Sequence, residues 1–406
     1  MQHVRVSSHQ GPVHKLGESQ MTLSPKFRLA SIQSSSPPQS NTHSESLSRG
    51  VEPLLPGLPD DIALDCLLRL PVETHSSCRV VCKRWHYLLS TKGQFFALRK
   101  ELGYQDPWLF ISTYQKCTGR IQWQVLDLTN FSWHIIPPMP CKERICSQGF
   151  RCVSIPHRGT LFVCGGTISD IDSPVNLVLK YEIHKNRWSV MEKMKTARSF
   201  FASGVIDGFV YVAGGNSSDL YELESGEVLD PVKGNWKAIS SMNANMASYD
   251  SAVLDGKLLV TEGWLWPFLF SPRGQIYDPR SNTWENMSAT LREGWTGLSV
   301  VVKGQLFVVS EHENMKLKVY DVKTDSWDVV AGSPVPQLVG KPFSVSSNDC
   351  RVFVVGCNLH VAIGYVKKMN ITSVGKKWYF LVEWKTVNAP RAFSGWSPSN
   401  SQVLYG

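Results

Sequence analysis

The chain is expected to fold as a short all-α module followed by an all-β propeller of six blades, with the C-terminal strand closing the ring. Three observations predict this. Apolar residues between positions 54 and 90 recur at helical spacing. From residue 107 onward a turn-like glycine, an apolar run and a tryptophan return about every 48 residues, which is the signature of a repeat architecture. Strand-like segments are also left over at both ends of the repeat, and pairing them removes the exposed edges of an open array.

The elements follow in order. Residues 1–50 hold twelve serines and few large apolar groups, too little burial to offset the entropy of ordering. They read as a disordered Ser-rich tail. Being basic and poor in acids, the tail also fits a transit peptide, and Ser24-Pro25 and Ser36-Pro37 fit phosphorylation sites. The start has no apolar signal core, and no stretch reaches the roughly 20 apolar residues of a membrane helix. A cytoplasmic or nuclear location, or both, is therefore expected, with no membrane partner.

The ten cysteines fall at irregular intervals, so disulfides are not expected. Cys141, Cys146 and Cys152 lack the CxxC pairs of a zinc module. The net charge of +8 is interspersed with both signs, and no basic stripe suggests nucleic acid.

Residues 51–92 form the helical module. Pro59 followed by Asp60 and Asp61 presets φ and places acids at the positive end of a helix. Ile62, Cys66, Leu67 and Leu70 make one apolar stripe, and Pro71 ends it. Cys78, Val81, Cys82, Trp85, Leu88 and Leu89 predict a second amphipathic helix. Two short helices leave apolar surface over, and a partner is expected to cover it. The blocks LPDDI, LRLPVE and VCKRW, in this order, resemble an F-box. That resemblance implies binding to the Skp adaptor of a cullin-based SCF ubiquitin ligase. It makes Leu58, Pro59, Ile62, Cys82 and Trp85 adaptor-contacting or module-defining, with Leu67 and Leu70 between the helices. Residues 93–106 continue a helical pattern through Phe95, Phe96, Leu98 and Leu102 as a packed connector.

Residues 107–406 carry the repeat. Gly159, Gly208, Gly256 and Gly304 are separated by 49, 48 and 48 residues. Each precedes an apolar run, and a tryptophan closes each unit, at Trp133, Trp188, Trp236, Trp284 and Trp327. Seven residues before each stands Leu126, Tyr181, Leu229, Tyr277 or Tyr320. The period, the double glycines Gly165-Gly166 and Gly214-Gly215, and the Tyr-to-Trp spacing resemble kelch repeats, with four strands per blade. Glycine permits a tight turn where a side chain would clash, while Tyr and Trp fill the wedge between blades. The third, fourth and fifth units depart from the double glycine, with Glu262-Gly263, Ser310-Glu311 and Gly356-Cys357. Five blades are expected to start near residues 150, 200, 248, 296 and 342. The sixth combines strands in 108–136 with SQVLY at 401–405.

An F-box ahead of a kelch propeller resembles the plant-type F-box/kelch proteins. The implied role is a non-catalytic substrate receptor without a cofactor, docked on the adaptor and through it on a cullin, with the propeller holding a protein target for ubiquitination. Two alternatives stand beside it: an F-box scaffold outside ubiquitination, and a propeller oxidase with a copper site. Against the second, the eleven histidines are scattered without a close pair. Within the propeller the loop between second and third strands changes from GNSSD to GWLWPFLFSPRG. Variation on a constant frame marks a binding face. Trp264, Trp266 and Phe268 in this loop, with Arg198, Tyr249, Arg292 and Trp295 near blade-joining segments, are the target-binding candidates. The loop aromatics admit a second reading, as extra core over their own blade.

Overall fold

The computed structural model describes residues 53–90, 94–141, 149–168, 173–219, 221–264, 269–370 and 378–406. The expected tail, Cys146, Trp266 and Phe268 lie outside the described residues.

Four α-helices open the described chain: α1 (Asp60–Leu68), α2 (His75–Cys78), α3 (Lys83–Ser90) and α4 (Gln94–Glu101). Asp60 begins α1 and its carboxylate accepts from the Leu54 N–H at 2.7 Å. That bond and the Arg84 guanidinium hold its carboxyl below the usual range. Leu54, Ala63, Leu67, Leu68, Cys78, Leu89 and Phe95 form one buried cluster, so the connector helix α4 shares the core of the module.

Two expectations are corrected here. The inward stripe of α1 is Ala63, Leu67 and Leu68, while Ile62 and Cys66 are exposed. The second helix is split: residues 79–81 form a turn between α2 and α3, with Val80 and Val81 exposed. At this turn Arg79 is drawn to the propeller, where it donates to the His184 carbonyl at 2.6 Å. Cys82 then sits at the start of α3, its Sγ accepting from the Trp85 N–H at 3.4 Å.

The propeller has six four-stranded antiparallel sheets. Five blades begin with inner strands Phe150–Ile155, Ala202–Ile206, Asp250–Leu254, Gly297–Val302 and Ser344–Ser347, each within two residues of its expected start. The sixth takes Trp396–Tyr405 as its inner strand, followed by Pro107–Gln115, Ile121–Asp127 and Trp133–Ile135. Trp108 pairs with Leu404 and Ile111 with Ser401, so the last strand closes the ring. The cores lie between neighbouring blades: Phe162 and Val178 of one meet Phe201, Val212 and Trp236 of the next.

The kelch residues occupy structural posts. Tyr181, Tyr277 and Tyr320 donate their hydroxyls to Asn186, Asn282 and Asp325 at 2.8, 2.8 and 2.6 Å. Each acceptor has positive φ in the turn before the outer strand. Gly165 and Gly166 have φ of 60° and 107°, Gly214 and Gly215 of 66° and 95°. A Cβ on Gly165 would run into the Arg198 carbonyl, and one on Gly215 would lie 2.6 Å from the Ser199 carbonyl. The pair thus lets the blade-joining segment press against the second strand.

Candidate functional site

The helical module turns apolar side chains outward. Leu58 and Ile62 are 40% and 49% exposed, and Val80 and Val81 are 84% and 62% exposed. The Arg84–Asp60 ion pair joins the start of α3 to the start of α1, which brings these residues to one end of the module. Pro59 is the N-cap of α1 with φ −56°, and Cys82 is exposed. Trp85 is half-buried, and its Nε1 donates to the Leu54 carbonyl at 2.8 Å, so it organises the module.

The module is anchored on the ring. Arg99, only 1% exposed, donates to the Leu70 and Tyr104 carbonyls at 2.7 Å, to the Gly406 carbonyl at 3.2 Å, and to the Leu68 carbonyl. One side chain therefore ties the end of α1 to the seam where the propeller closes. Arg79 donates to the His184 carbonyl at 2.6 Å, and Phe96 packs on the His184 ring at 4.9 Å between centroids. His184 lies in the turn between third and fourth strands of its blade. The contact is therefore on the face of the ring carrying those turns.

The opposite face carries the loops between second and third strands and the blade-joining segments. These interlock: Gly166 N–H donates to the Arg198 carbonyl at 3.1 Å, Gly215 N–H to Met246 at 2.9 Å, and Glu311 N–H to Thr296 at 3.0 Å. On this face Trp264 is half-buried, donating Nε1 to the Glu293 carbonyl at 3.0 Å. Arg292 is half-buried, donating to the Pro272 carbonyl at 3.1 Å. Tyr249, also half-buried, donates its hydroxyl to the Glu311 carboxylate. Burial and that negative partner push its phenol well above the ordinary range.

Two of the target-binding candidates are corrected. Arg198 is fully buried. It donates to the Gly214 carbonyl at 2.8 Å, the Ser225 carbonyl at 2.9 Å and the Glu227 carboxylate at 2.9 Å, and is a strut under the loops. Trp295 is likewise fully buried, its Nε1 donating to Asp250 at 3.0 Å. A fully buried guanidinium and a fully buried indole leave nothing for a target to touch.

Sequence reasoning missed the exposed Tyr221 of the neighbouring loop, and within the aromatic loop it singled out Trp264, Trp266 and Phe268, whereas Leu269 and Phe270 are exposed there. It also missed the central channel of about 320 Å³, lined by Arg151, Asp250 and a succession of serines from the inner strands. Arg151 donates to the Phe201 and Ser248 carbonyls at 2.7 Å. Burial raises the Asp250 carboxyl, against the hydrogen bonds from Ser299 and Trp295. The serines recur at the first strand of each unit, a signal that alignment of the repeats contains. Among the described residues no three His, Cys, Asp or Glu side chains come together as a metal site.

Comparison with known proteins is consistent along the chain. Residues 55–96 match the F-box domain family and residues 197–243 the Kelch motif family. The chain is 59% identical over 406 residues to the F-box/kelch-repeat protein At1g30090 of Arabidopsis thaliana, covering 100% of both. It is 39% identical over 361 residues to the F-box protein AFR of the same plant, covering 87% of this chain and 93% of that protein. A third relative, the Arabidopsis F-box/kelch-repeat protein At1g67480, is 32% identical over 44% of this chain and 47% of its own length.

Proposed function

The chain belongs to the F-box/kelch-repeat proteins, and on that premise we propose that it is the substrate-recognition subunit of an SCF-type ubiquitin ligase. The observation that carries the proposal is the outward apolar end of the helical module, with Leu58, Ile62, Val80 and Val81 exposed. Exposed apolar clusters are kept where a partner buries them. A Skp-type adaptor is the partner the family implies, and a cullin follows through it. The far face of the propeller holds the protein target.

In this reading no bond is made or broken by the chain itself, and the location is cytoplasmic, nuclear or both. The gain in ubiquitin transfer comes from effective concentration. Arg99 and Arg79 serve it by fixing the module on one face while the loops project from the other.

The test is capture of purified Skp adaptor by the full chain carrying Leu58→Asp and Ile62→Asp. Both positions are exposed, so the melting temperature should be unchanged. Affinity should fall about 100-fold or more, as for central interface residues. Undiminished capture would refute the ligase reading.

A further inference from the structure

The loop Glu262–Arg273 is clamped at its base. Arg273 donates its N–H and Nε to the two oxygens of Glu262 at 2.6 and 2.7 Å. It also donates to the Asn245 carbonyl at 2.7 Å and reaches Glu222 of the preceding blade at 3.0 Å. On the other flank Ser271 Oγ donates to Glu293 at 2.7 Å, beside the Trp264 and Arg292 bonds to the same neighbourhood. Beside these bonds Leu269 and Phe270 stand in solvent, at 74% and 83% exposure.

The bridge from Arg273 to Glu222 sets the neighbouring loop alongside, where Tyr221 is 74% exposed. Asp219 and Glu224 flank Tyr221 in the sequence, and Glu293 accepts from Ser271 next to Phe270; all three are exposed carboxylates. The two arginines of the aromatic loop and the helix beside it are engaged: Arg273 by Glu222 and Glu262, Arg292 by the Pro272 carbonyl. Exposed apolar side chains and exposed carboxylates thus share this rim of the face, on a chain whose net charge is +8.

Resting on the receptor reading above, we infer that the recognised element of the target is a short basic–apolar segment of protein. An aromatic or aliphatic side chain packs on Tyr221, Leu269 and Phe270, and flanking Lys or Arg side chains pair with Asp219, Glu224 and Glu293. Aromatic centres supply most of an interface's energy, while rim charges select the partner and steer its approach. An acidic or phosphorylated segment would meet like charge on this rim.

The test uses the immobilised full chain and a phage-displayed library of random peptides. Selected sequences should place Lys or Arg beside Trp, Phe or Leu. A synthetic peptide carrying the selected sequence should bind the D219K/E224K variant and the F270S variant about tenfold more weakly or worse. Its affinity should also fall as salt rises. All substituted side chains are exposed, and melting temperatures equal to that of the unsubstituted chain confirm intact folds. Selection of acid-rich peptides, enrichment no greater than on the variants, or affinity indifferent to them would each overturn the inference. Skp adaptor capture is scored on the same preparations. Peptide binding with no adaptor capture would sink the ligase reading alone, and the reverse pattern would sink this inference alone.

Discussion

Four outer-strand tryptophans each reach back one blade. Trp188, Trp236, Trp284 and Trp327 donate Nε1 to the carbonyls of Pro137, Glu192, Ser240 and Thr290 at 2.8–2.9 Å. The repeat therefore specifies a bond between units as well as a filled wedge. Trp236→Phe keeps much of the ring volume and orphans the Glu192 carbonyl, which should cost about 1–2 kcal/mol in denaturant unfolding. An unchanged midpoint would show that this bond contributes nothing. The Arg198–Glu227 pair is buried on both sides, and Glu227 also accepts from the Lys195 and Thr196 N–H groups at 2.7 and 3.0 Å. Glu227→Gln leaves the guanidinium without its counter-charge, and stability should fall by about 3 kcal/mol. A loss below about 1 kcal/mol in the same assay would mean that other acceptors suffice. An arginine alone in a loop carries no periodicity, so its burial was not legible. The Tyr positions were legible from the repeat, whereas their acceptors in the following turn came from the structure. Where Leu229 replaces Tyr, the residue five places on is Gly234, with φ 73°, in the place that Asn186 and Asn282 fill elsewhere.

At the level of elements, the inner strand Trp396–Tyr405 decides whether the ring is closed. Val403 and Leu404 are buried between blades, and the strand pairs with Pro107–Gln115 through to Tyr405. Deleting residues 400–406 should expose both an edge and this core, lowering the melting temperature by about 5–10 °C or causing aggregation. A superimposable melting curve would mean that the ring does not depend on that strand. Legibility differed between elements. The orphan strands were readable because alternating apolar residues at both termini lacked partners. The break between α2 and α3 was not, because Cys78, Val81, Cys82 and Trp85 fit one helical stripe. The Arg79 bond to the propeller comes from outside the segment.

For the molecule as a whole, the seat of the module on the ring is sensitive to acid. His75 is fully buried, its Nε2 3.1 Å from the Leu70 carbonyl, with Arg99 and Arg79 nearby. Burial foremost, then those cations, lowers it to about 4. Burial also brings His184 down to about 4, against the opposing pull of Glu182. Both groups are therefore neutral in the folded chain and gain protons more readily when it unfolds. Their stabilisation is complete above the unfolded value of roughly 6.5 and is lost as pH falls toward about 4. Each histidine should cost about 1–2 kcal/mol between pH 7 and pH 5. Hydrogen exchange should place the loss at α2 and the turn containing His184. His75→Gln should flatten the pH dependence, and a dependence as steep as before would place the titration elsewhere.

The sequence by itself determined what repeats and in what order: the helical module, the blade starts, the posts of Gly, Tyr and Trp, and the pairing of the termini. Periodicity and turn chemistry are local properties that every unit states again, so they survive without coordinates. Only the tertiary structure decided which polar side chains of the variable face are buried. Arg198 and Trp295 went inside because acceptors from distant strands converge on them. Tyr221, Leu269 and Phe270 stay exposed beside the bonds that tie Arg273 to Glu222 and Glu262 and Ser271 to Glu293. Those partners lie 11 to 51 residues apart, and the folding and packing of neighbouring blades bring them within hydrogen-bonding distance.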